Sequence, residues 1–227
     1  MENNTNVIDR GVSSALEINK VLKNTYLLLS ATLLFSAAMA GVSMVMNVTM
    51  LNPFIWLAAA FGLLFAVHKT ADSAAGLFWV FAFTGWFGFW AGPIVGFYVS
   101  MGGAQIVVQA LAGTGLIFFA LSGYVLTTKK DFSFMRGILM TGIMVLFFGS
   151  LAYLVANYFF GVYISGLSLA FSGIAVLLFS AFILYDTSNI IQGLETNYIR
   201  ATVSMYLNIY NLFMNLLHLI AALSGED

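Results

Sequence analysis

Residues 164–191 read ISGLSLAFSGIAVLLFSAFILYDTSNII, and in these 28 positions the sole charged residue is Asp186. A helix rises ~1.5 Å per residue and a bilayer's hydrocarbon core is about 30 Å thick, so roughly 20 apolar residues suffice to cross it. A stretch this long and this apolar is a membrane-spanning helix, because in lipid each backbone group must be bonded within its own segment. Working outward, six further runs have the same character, at 25–46, 53–68, 75–99, 104–126, 138–160 and 201–223. The second opens on Pro53, which suits the first turn of a helix. The third contains Pro93, tolerated in a membrane helix when neighbours satisfy the carbonyl it frees.

The expected fold is therefore an all-α membrane protein, a seven-transmembrane-helix bundle with short up-and-down connections. Composition agrees. Of 227 residues, 61% are hydrophobic and 7% charged, whereas soluble domains carry roughly a quarter charged residues. Seven spans of about 21 residues use roughly 147 positions. The remainder suffices for a polar tail at 1–24, loops, and a short outer tail at 224–227, but for no second soluble domain. A soluble enzyme and a nucleic-acid binder are excluded, the latter also by a net charge of −1. The tail carries Glu2, Asp9, Arg10, Glu17, Lys20 and Lys23, too polar for the apolar region of a signal peptide.

The basic residues give an orientation. Arg10, Lys20 and Lys23 precede the first span; Lys69 follows the second; Lys129, Lys130 and Arg136 follow the fourth; Arg200 follows the sixth. With seven spans all of them fall on one side, which the positive-inside rule makes cytoplasmic. The N-terminus is expected in the cytoplasm and the C-terminus outside. Six spans would scramble this partition.

In the third span Gly88, Gly92 and Gly96 recur at every fourth position, a spacing that lets two helix backbones approach closely. Packing inside the bundle is expected over dimerisation. Ionisable groups inside a bilayer are costly and by default mark function. Within the spans these are Asp186, near the cytoplasmic end of helix six, and His218, near the outer end of helix seven. Ser204, Asn208, Asn211, Asn215 and His218 are spaced 4, 3, 4, 3, so they form one stripe on helix seven. Asp186 lies roughly 6–9 Å deep and Asn208 roughly 10 Å by helical rise, so a hydrogen bond between them is expected. A lone carboxylate in a bundle needs a cation, a proton or water, which makes Asp186 with Asn208 a candidate proton-sensing or gating pair. Ser204, Asn211, Asn215 and His218 are a candidate polar pathway; the alternative for the asparagines is hydrogen bonding between helices.

Catalysis is not expected. The chain has no cysteine, no HExxH, no Walker loop and no G-x-S-x-G. An intramembrane aspartyl protease needs a second carboxylate to share a proton, and every other acid lies in a tail or loop. No cofactor or metal site is expected.

Leu184-Tyr-Asp-Thr-Ser-Asn-Ile-Ile191, Asn197-Tyr-Ile-Arg-Ala201 and Tyr206-Leu-Asn-Ile-Tyr-Asn-Leu-Phe213 resemble the carboxy-terminal signature of the Bax inhibitor family. Lys20-Val-Leu-Lys-Asn-Thr-Tyr26, Phe81-Ala-Phe-Thr-Gly85 and Tyr124-Val-Leu-Thr-Thr-Lys-Lys-Asp131 extend the likeness along nearly the whole chain. It is strongest to the bacterial inner-membrane branch whose type member modulates the membrane ATP-dependent protease FtsH. The resemblance implies a multi-pass protein of the bacterial inner (plasma) membrane that binds and inhibits FtsH, with the polar amino-terminal tail offering the protease a grip. The alternative that it implies is a pH-sensitive calcium or cation leak, because some relatives carry two aspartates on the last two helices. The first matches Asp186. The second falls at Asn208, and an amide cannot share a proton as a carboxylate does, nor supply a charge to Ca²⁺.

Overall fold

A computed structural model describes residues 2–49, 52–100, 104–164 and 166–225, with side chains from Ala15 onward. Among the described residues there are seven long helices and no strand: α1 (Glu2–Val45), α2 (Pro53–Thr70), α3 (Ala75–Tyr98), α4 (Ala104–Thr128), α5 (Arg136–Phe160), α6 (Leu167–Ile191) and α7 (Tyr198–Leu223). Each contains a segment long and apolar enough to cross a membrane, that of α1 being Ala15–Val45. The chain is an all-α, seven-helix membrane protein.

Local chemistry explains where the helices start and stop. Asn52 Oδ1 accepts the Phe54 N–H at 2.9 Å ahead of Pro53, the capping arrangement expected at a helix entry. Gly161 ends α5 at φ +64°, and its N–H and that of Val162 return to the Asn157 and Ala156 carbonyls, closing the last turn as a left-handed glycine does. α7 opens at Tyr198, three residues before the apolar run, because the Asn197 side chain accepts the N–H groups of Ile199 and Arg200. The largest difference from expectation is at the amino terminus. Residues 2–24, expected as a tail, are the first turns of α1, which runs unbroken to Val45. Their polarity hides the helix from an apolar-run search, which marks only the part facing lipid or protein.

The chain divides into two compact units, one comprising the chain through Gly96 with Asn189–Tyr206, the other Phe97–Ser188 with the chain from Leu207. In the first, α3 lies against α1 through its glycines. A Cβ on Gly88 would overlap the Ser36 carbonyl, one on Gly92 would overlap Ser43 Oγ, and one on Gly85 would stand 2.7 Å from a Phe35 ring carbon. The spacing thus serves packing within the chain. Tyr206 is the hub of this unit. It is fully buried, its ring meets Phe83 and Phe87 edge-on at 6.1 and 6.2 Å, and its hydroxyl lies 2.6 Å from Ser36 Oγ and donates to the Thr84 carbonyl. In the second unit, Val125, Ile183, Leu212 and Leu217 are each fully buried.

Candidate functional site

The site is built on the carboxy-terminal end of α6 (Leu167–Ile191). Asp186, Thr187 and Ser188 are consecutive, and a helix turns ~100° per residue, so their side chains leave in three directions. Each finds a different element. Asn208 on α7 donates its amide N–H to Asp186 Oδ2 at 2.7 Å. Thr187 Oγ1 lies 3.3 Å from Ser122 Oγ on α4. Ser188 Oγ accepts the Phe132 N–H at 2.9 Å and donates to the Lys130 carbonyl at 3.3 Å, tying down the α4–α5 loop. Thr187 and Ser188 are fully buried, and Asn208 is 5% exposed, so losing a partner would leave any of these three with a costly unpaired group.

The expected Asp186–Asn208 contact is therefore formed. Asn208 lies ten residues into α7 rather than seven, because of the earlier start at Tyr198. An amide can donate to a carboxylate but cannot take its proton, so this pair completes Asp186 by hydrogen bonding and not by proton sharing. At the other end of the helices, His218 Nδ1 lies 2.9 Å from Ser172 Oγ, again joining α7 to α6.

In the middle of the stripe, Asn211 and Asn215 each donate to a carbonyl of their own helix, Leu207 at 2.8 Å and Asn211 at 2.7 Å. Ser204 belongs to the first compact unit, and Asp186 with the rest of the stripe belongs to the second. The residues brought together are thus Asp186 with Asn208 and Ser172 with His218. Ser122, Ser172, Thr187 and Ser188 escape sequence reasoning, since single hydroxyl residues in apolar runs are common and carry no signal by themselves. Helical geometry around Asp186 offers the only clue, by fanning its two successors to other neighbours.

The first unit has its own polar junction, on the α2–α3 turn. Arg200 donates to Asp72 Oδ2 at 2.7 Å, and Asn197 Nδ2 donates to Asp72 Oδ1 and to the Ala71 carbonyl at 2.7 and 3.0 Å. The ion pair is exposed on both sides and holds α7 to the turn without enclosing a reaction space. A cavity of about 450 Å³ in the same unit is lined by apolar side chains of α1, α2 and α3, among them Phe35, Leu63, Phe81 and Trp86. Its walls carry no acid, base or nucleophile. Among the described residues, no three His, Cys, Asp or Glu side chains converge as metal ligands would.

The family model described as Inhibitor of apoptosis-promoting Bax1 matches residues 18–225. An Escherichia coli K12 protein named Modulator of FtsH protease YccA is 46% identical over 225 residues, covering 96% of this chain and 100% of that one. A protein of E. coli O6:H1 named Inner membrane protein YccA has the same identity and coverage. A Vibrio cholerae protein described as an uncharacterized membrane protein is 46% identical over 214 residues, 93% of each chain.

Proposed function

The chain belongs to the Bax inhibitor family, and from that membership we propose that it is a multi-pass protein of a bacterial inner membrane which binds the ATP-dependent protease FtsH and restrains its degradation of membrane substrates. The observation that carries this is the identity of 46% across 96% of the chain to a protein named as a modulator of that protease. Likeness over the full length, rather than over one motif, covers the surfaces by which such a protein would dock.

The amino-terminal helix supports the same function. α1 has 44 residues, about 66 Å at ~1.5 Å per residue, roughly twice the thickness of a hydrocarbon core. Its first turns therefore extend past the membrane on the side where the basic residues lie, where an ATP-driven protease could engage them. No catalytic group is needed for such a role. The work is done by helix packing within the bilayer and by the projecting segment.

The test is degradation in proteoliposomes. FtsH with a membrane substrate should digest it more slowly when this chain is co-reconstituted, and a chain lacking residues 1–20 should alter that effect. Digestion at an unchanged rate with the full chain present would contradict the proposal. A second function, a pH-sensitive calcium or cation leak, draws on the half-buried Asp186 and the polar contacts between α6 and α7. Vesicles holding the chain alone would then release calcium in a manner sensitive to pH and to Asp186→Asn, and indifference to both would dismiss it.

A further inference from the structure

The loop between α4 and α5, with the first residue of α5, carries Lys129, Lys130 and Arg136 within eight residues, and large apolar side chains stand exposed beside them, Phe134 at 79% and, in the first turn of α5, Ile138 at 72%. The loop is held rather than slack. Lys129 turns the chain at φ +52°, and Asp131 Oδ1 accepts the Ser133 N–H at 2.8 Å to start a single 3-10 turn. Ser188 of α6 bonds the chain just before that turn, at the Lys130 carbonyl and the Phe132 N–H. The Phe132 ring stacks on Phe134 with centroids 6.3 Å apart, and the Lys130 ammonium lies 5.5 Å from the centre of the Tyr124 ring. Asp131 is the one acid here, so the loop keeps an excess of two positive charges, with its cations presented beside exposed hydrocarbon.

We propose that this loop binds the headgroup of an anionic phospholipid in the leaflet on the basic side of the membrane. The cations meet the phosphate and Phe134 and Ile138 enter beside the acyl chains, in the way that basic and aromatic residues anchor proteins at the interface. The apolar side chains select lipid over an acidic soluble partner. A protein surface carrying the complementary charge would leave Phe134 and Ile138 in water, whereas a lipid supplies charge and hydrocarbon at adjacent depths. The net charge selects an anionic lipid over a zwitterionic one. Ser188 follows Asp186 by two residues, so the loop's anchor and the carboxylate that Asn208 meets share one turn of α6. The proposal stands independently of any action on a protease.

The purified full chain in detergent would be titrated with phosphatidylglycerol and, separately, with phosphatidylcholine of the same acyl chains, and bound lipid counted by native mass spectrometry. The expected result is a preference for phosphatidylglycerol of about tenfold, as electrostatic contributions per cation at an anionic surface imply. K129Q/K130Q/R136Q should abolish the preference, while K20Q/K23Q/K69Q, which removes the same charge elsewhere on that side, should keep it. F134S should weaken retention of both lipids. Equal binding of the two lipids by the unaltered chain would overturn the proposal. So would a preference that follows the control substitutions, or one displaced by millimolar inorganic phosphate. Thermal unfolding of each variant separates loss of the site from loss of the fold.

Discussion

Asn208 on α7 donates to Asp186 on α6 at 2.7 Å, so the one acid of α6 is met by a neutral amide. The bond joins α6 to α7 within one compact unit. Asp186→Leu would leave a buried amide without its acceptor, at a cost of about 1–3 kcal/mol. Replacing both residues by leucine should recover part of that loss, because neither group then remains unpaired. Thermal unfolding of the single and double variants in detergent measures the coupling, and strictly additive losses would show that the bond contributes nothing.

Asn208→Asp should convert the pair into two carboxylates that cannot both ionise at this separation. A proton would then be shared between them, and calcium release from vesicles should become more dependent on pH than with the unaltered chain. Flux with the same pH profile for both would show that residue 208 does not control proton sharing at Asp186.

The α3 glycines should not be equivalent. A Cβ on Gly88 or Gly92 would collide with α1, whereas one on Gly96 would stand 3.7 Å from Met44 Cγ, an ordinary contact. Gly88→Ala is expected to destabilise by about 1–3 kcal/mol, as overpacking does, and Gly96→Ala to stay within about 0.5 kcal/mol of the unaltered chain. Unfolding midpoints that rank them the other way would refute the α1–α3 packing.

Much of this architecture is legible from sequence because lipid leaves few choices. A long apolar run must be a helix, so seven such runs become seven helices, and Asp186 and Asn208 reveal themselves by being polar at similar depth. What is hidden depends on local geometry that no run or stripe encodes. The helical state of residues 2–24 is hidden because charged and polar residues interrupt any apolar run there. The inward bonds of Asn211 and Asn215 reflect a competition between their own helix and its neighbours, which spacing alone cannot decide. Tyr206 is one of ten tyrosines, and its place as a buried hub appears only once Ser36, Phe83 and Thr84 converge on it.

Tyr206→Phe tests that hub. It keeps the ring and removes a hydroxyl that donates to the Thr84 carbonyl and bonds Ser36. The expected loss is about 1–2 kcal/mol, in the range for a buried hydrogen bond whose partners remain. An unchanged melting temperature would show that these bonds have no net value.

The central claim is that this family member acts on FtsH, and affinity purification of the tagged full chain from its native membrane tests it most directly. The account predicts that FtsH co-purifies with it, and that deleting residues 1–20 changes the chain's own turnover. Recovery of an intact, folded chain without FtsH would contradict the account.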